Sequence, residues 1–147
     1  MLNKIIENSV VAIIRMSNFE KLKRIVDAIY EGGISGIGIT MTTPNALAVI
    51  EEIARSKGDI IHIGVGSVLD TETAWIAINA GAQYIVSPVF KPGIIEIAHH
   101  YDLPAMPGCF TPAEILTAYE CGADIIKVFP AIENLSLSLK KYGEYYE

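Results

Sequence analysis

The residue best equipped for chemistry is Lys127. It stands in the run Asp124-Ile125-Ile126-Lys127-Val128-Phe129-Pro130, with apolar neighbours on both sides. An extended segment alternates its side chains between two faces, which groups Lys127 with Ile125 and Phe129. Burial among such neighbours disfavours the ammonium form and lowers the pKa. The resulting neutral amine can attack a ketone to form a Schiff base. The competing reading is a lysine that snorkels from a strand end or pairs with a carboxylate such as Asp124.

Arg15 ends the apolar run 10–15 (VVAIIR) and offers a planar fork for a carboxylate or phosphate; it reads equally well as an exposed loop arginine. Ser67 follows Gly64 and Gly66, and glycines let backbone amides approach an anion closely. Ser87-Pro88 and Pro107-Gly108 punctuate later runs, where turn formation accounts for them nearly as well. His62, His99 and His100 share no ligand spacing with one another or with Cys109 and Cys121, so no metal and no cofactor is expected. The histidines read as surface or helix-end residues.

These residues need a scaffold, and the hydrophobic pattern describes one. After a short helix near 2–7, β-branched runs at 10–15, 34–40, 60–68, 84–87, 104–108 and 124–130 alternate with helical stretches. The helices are expected over 18–31, from the Thr43-Pro44 cap to 56, from the Asp70 cap to Gly81, over 92–101, and from the Thr111-Pro112 cap with its Glu114 capping box to Cys121-Gly122. A last helix is expected over 132–147. Repetition of βα units at about 22 residues points to an α/β fold, a (β/α)8 barrel of the TIM type that is incomplete with about six units. The alternative is a doubly wound open sheet. That fold usually carries a glycine-rich first turn, and here the first turn is Arg15-Met16-Ser17.

With 51% hydrophobic residues in 147, the chain has material for one core, so a single domain over 1–147 is expected. The net charge of −6 disfavours nucleic acid or an anionic membrane as partner. No apolar stretch approaches the roughly 20 residues that span a bilayer. Two cysteines without a cationic-then-apolar leader suggest a cytoplasmic location rather than a disulfide framework.

The segment GADIIKVFPA (122–131) resembles the Schiff-base strand of the 2-keto-3-deoxy-6-phosphogluconate (KDPG) and 4-hydroxy-2-oxoglutarate (KHG) aldolase family. The resemblance extends over residues 8–131 through VVAIIR, the glycine-to-TP stretch 32–44, GVGSVLD (64–70), AGAQYIVSP (80–88) and PAMPGCFTPAE (104–114). It implies a class I aldolase barrel in which Lys127 forms an imine with the C2 ketone of a 2-keto acid. Cleavage of the C3–C4 bond would release pyruvate, with glyceraldehyde 3-phosphate or glyoxylate as co-product. Arg15, Thr42, Ser67, Pro88 and Phe129 match substrate-binding positions. A homo-oligomer, a trimer, is also implied.

Two positions depart from the family pattern. Thr42 stands where many members carry an arginine, and Gly38 stands where the family places its proton-transfer glutamate. Losing a general acid–base group typically costs about 10²–10⁴-fold in rate. The matching motifs end near Ala131, so residues 132–147 read as a divergent tail, and the resemblance implies a member truncated after its sixth strand. An active aldolase, a catalytically impaired member that binds keto acid, and a fragment assembling through open sheet edges are the resulting expectations.

Overall fold

The computed structural model describes residues 2–131 of the chain. The helix expected over 132–147 lies outside them. The chain opens with α1 (Leu2–Asn8), then runs β1 (Val11–Ile14), α2 (Phe19–Glu31), β2 (Gly36–Thr40), α3 (Ala46–Lys57), β3 (His62–Gly66), α4 (Thr71–Asn79) and β4 (Ile85–Val86). It continues through α5 (Pro92–His100), β5 (Ala105–Met106), β6 (Gly108–Cys109), α6 (Pro112–Glu120) and β7 (Lys127–Val128).

All strand pairs are parallel, and β1 to β5 lie side by side in chain order. Sequential order is what a barrel requires, because each right-handed βα crossover adds the next strand on the same side. A doubly wound sheet reverses order partway; that alternative is overturned. Five neighbouring strands and a further parallel pair, β6 with β7, constitute an incomplete (β/α) barrel.

Every residue of β2 (GIGIT) and β3 (HIGVG) is buried, which explains why these strands lack the apolar/polar alternation of a half-wet sheet. Their outward residues Ile37, Ile39, Ile63 and Val65 join Leu22, Val26, Val49 and Ile50 in the core between sheet and helices. Apart from His62 and Thr40, their inward residues are glycines (Gly36, Gly38, Gly64 and Gly66), and a second cluster of Ile5, Tyr84, Val86 and Met106, with Val11 and Ile125 against it, fills that side. Ile5 on α1 caps this inner cluster.

Local chemistry sets most helix ends as expected. Asp70 accepts a hydrogen bond from the Thr73 amide at 2.7 Å, and Thr111 and Glu114 form the reciprocal capping box of α6. The expected start of the second long helix is corrected. Thr43-Pro44 forms a turn, α3 begins at Ala46 behind Asn45 in the left-handed region (φ 57°), and the Thr43 hydroxyl pairs with Thr40 rather than with a helix amide.

The run expected as one strand over 104–108 is divided at Pro107. The carbonyls of Pro104 and Met106 accept from Ile85 and Ser87 on one side, while those of Ala105, Pro107 and Cys109 accept from Asp124, Lys127 and Phe129 on the other. Pro107 supplies an acceptor but no donor, so the ladder toward the last strand loses a bond there. The strands expected over 84–87 and 124–130 are correspondingly short as hydrogen-bonded elements, Ile85–Val86 and Lys127–Val128.

Candidate active site

Lys127 lies beside Gly108 in the β6–β7 pair, half-buried. Its Nζ sits 4.2 Å from the centroid of the Phe129 ring, two residues on, as the strand period requires. Burial pushes the Lys127 pKa below the ordinary lysine value. The carboxylate alternative from the sequence does not materialise: Asp124 accepts from the Ala105 amide at 2.9 Å and pairs with His99 at 2.9 Å. Among the described residues, Lys127 has no salt-bridge partner.

The other candidates gather at the carboxyl ends of the parallel strands. Arg15 directly follows β1 and is exposed; Thr42 is exposed in the turn after β2, its Oγ1 3.0 Å from that of Thr40. Ser67 directly follows β3, half-buried and with φ 60°, a left-handed backbone that a residue with a Cβ adopts at some cost. Pro88 follows β4 after Ser87, whose buried hydroxyl donates to the Val89 carbonyl at 2.6 Å and accepts from the Val89 amide. Gly108 is tied to this region, because a Cβ there would fall on the backbone carbonyl of Pro88. Phe129 is exposed beyond the end of β7.

Gly38 faces inward from the middle of β2. A Cβ built on it would meet Ile13 Cδ1 at 2.7 Å and the Tyr84 hydroxyl at 3.5 Å. Tyr84 was not singled out from the sequence. It is completely buried, and its hydroxyl has no hydrogen-bond partner among the described residues. Burial raises its pKa far above that of an ordinary phenol, so the hydroxyl keeps its proton. The signal that could have found it is the small-residue pattern Gly36, Gly38, Gly64, Gly66: adjacent strands bare on one face need a large side chain from a neighbour to fill the space.

The reading of all three histidines as surface or helix-end residues is corrected at one of them. His62 begins β3 and is 6% exposed, with Nδ1 unpartnered among the described residues. His99 and His100 do close a helix, α5.

A parallel, sequentially ordered sheet with a half-buried lysine on its last described strand and polar groups at the carboxyl ends of the others defines an α/β-barrel protein. Known proteins make the assignment narrower. The family model described as KDPG and KHG aldolase matches residues 1–141, and the chain belongs to that family.

The 2-dehydro-3-deoxy-phosphogluconate aldolase of Treponema pallidum (strain Nichols) is 33% identical over 83% of this chain and 58% of its own length. The 2-keto-3-deoxy-6-phosphogluconate aldolase of Zymomonas mobilis ZM4, solved with 3-phosphoglycerate, superposes with a TM-score of 0.82 at 26% identity, over 92% of this chain and 65% of that one. The KDPG aldolase of Legionella pneumophila, solved with pyruvate captured as a covalent carbinolamine intermediate, gives a TM-score of 0.76 at 25% identity, over 82% and 58%. The chain spans 56–59% of the length of the curated relatives it matches first. No helix among the described residues is long and apolar enough to cross a membrane.

Proposed function

We propose that the chain is a pyruvate-forming class I aldolase, in which Lys127 forms a Schiff base with the C2 ketone of a 2-keto acid. The substrate would be 2-keto-3-deoxy-6-phosphogluconate, 4-hydroxy-2-oxoglutarate, or both. The observation that carries this reading is the half-buried amine of Lys127 on an inward strand face, its pKa lowered by burial and Asp124, the carboxylate nearest to it in sequence, committed to His99. Attack by the neutral amine, loss of water from the carbinolamine, loss of the C4 hydroxyl proton to water and flow of the C3–C4 electron pair into the iminium give an aldehyde and an enamine; protonation of the enamine at C3 and hydrolysis of the iminium release pyruvate and free the lysine. Arg15, Thr42 and Ser67, from three successive strand ends, would hold the anionic ends of the substrate, with Pro88 and Phe129 as apolar walls. The carbinolamine of the Legionella relative and the phosphorylated ligand of the Zymomonas relative support this chemistry.

Borohydride reduction with pyruvate, read by intact mass and peptide mapping, tests it. Mass addition at Lys127 is the expected result; no addition by pyruvate or a longer keto acid overturns the reading.

A second reading has its own observation. Gly38 carries no proton-transfer group, and Ile13 and Tyr84 crowd the space beside it. The chain would then bind keto acid and turn it over poorly. Gly38→Glu should raise cleavage once Ile13 shifts; an unchanged rate removes the glycine as the cause.

A further inference from the structure

The Tyr84 hydroxyl lies on the barrel's inner side, wholly buried and unpartnered among the described residues. A buried polar group left unsatisfied costs about 1–3 kcal/mol, so its position calls for a partner in the working protein. The surroundings keep the ring in place. Gly64, opposite it on β3, has no side chain, and a Cβ there would stand 2.5 Å from Tyr84 Cδ2 and nearer still to two other ring carbons. The ring therefore crosses the bare face of β3 and delivers its hydroxyl to the bare face of β2, 3.5 Å from where a side chain on Gly38 would start. Ile125 packs against the same inner cluster, and Lys127 is the next residue on that face of its strand.

We propose that Tyr84 is a positioning residue for proton transfer at the Lys127 site: its hydroxyl holds a water molecule beside Gly38, beneath the bound keto acid, in the space that opens when the exposed Ile13 side chain, whose Cδ1 now stands there, swings aside. The inference rests on Lys127 being the Schiff-base lysine. Because burial keeps the phenol protonated, it donates to the water oxygen and orients that water's remaining lone pair toward the substrate. With pyruvate bound as an iminium, the C3–H bond breaks and its proton passes to the water. The C–H electron pair becomes the C2=C3 bond of the enamine, and the iminium π pair moves onto nitrogen. The water exchanges the proton with solvent, and the reverse steps return one to C3.

The test compares the full chain with Tyr84→Phe, which keeps the ring in the Gly64 cradle and removes only the oxygen. Each is incubated with pyruvate in D2O; methyl deuteration is followed by NMR and borohydride trapping by mass. Tyr84→Phe should trap pyruvate as well as the parent does, while deuteration slows about 10- to 100-fold. Equal deuteration in the two chains overturns the proposal, as do equal losses of trapping and deuteration, which would assign the hydroxyl to folding or imine formation. A parent that traps pyruvate without exchanging its methyl protons also overturns it and leaves the Lys127 reading intact. A parent that does not trap pyruvate removes both.

Discussion

The Tyr84 ring occupies the place where a side chain on Gly64 would stand, so a side chain at 64 and the ring at 84 exclude each other. Gly64 is a strand residue whose absent side chain is the space for an aromatic ring. Gly64→Ala forces a methyl group into ring carbons that cannot swing aside as the end of a flexible chain would. Overpacking of this kind typically costs about 1–3 kcal/mol, which urea denaturation would register as a lower midpoint. Adding Tyr84→Leu should return part of that loss; additive losses would mean that the two sites do not share this space.

Lys127 gives a pH signature. Its amine reacts only when neutral, and burial lowers its pKa, so the rate of pyruvate trapping should rise with pH through a midpoint below that of an ordinary lysine. The Phe129 ring works against this by favouring the ammonium, an effect of about 0.5–1 kcal/mol. Phe129→Leu keeps an apolar neighbour and removes the π face, so the midpoint should fall by about half a pH unit. A rise in the midpoint would show that the phenylalanine acts through burial instead.

His62 should limit stability in mild acid. Burial, with Lys4 adding repulsion, lowers its pKa in the folded chain below the free value of about 6.5. The unfolded chain therefore takes up the proton first. Stability present above the unfolded pKa is lost as pH falls through it toward the folded one. The urea midpoint should begin to decline as pH falls through the free value of about 6.5, and His62→Gln should flatten that decline. An unchanged slope assigns the acid sensitivity to other groups.

The α6 cap should contribute measurably to folding. Thr111 Oγ1 accepts from the Glu114 amide, and the Glu114 carboxylate accepts from the amides of Phe110 and Thr111, bonds that hold its pKa below the ordinary carboxylate range. Thr111→Ala removes an N-cap acceptor, a loss of about 0.5–2 kcal/mol in comparable helices. A chemical denaturation curve indistinguishable from the parent's would mean that water replaces the cap without cost.

Local sequence determined a good deal about this protein. The alternation of βα units, the Asp70 and Thr111 caps, and the placement of Lys127 with Phe129 were all legible, because strand period and capping depend on neighbours only a few residues away. The lysine stood out for the same reason: a charge among apolar residues is visible without a fold. Only the tertiary structure decided that Thr43 turns back to Thr40, that Pro107 interrupts its strand, that His62 is buried and that Asp124 belongs to His99. Each of these depends on which segment lies alongside, a choice made between distant parts of the chain. Tyr84 is the clearest case. In sequence it is one aromatic residue before an isoleucine; in the fold, glycines 20 and 46 residues earlier leave it the inner space, and packing carries its hydroxyl to the position where the family resemblance had led us to expect a carboxylate.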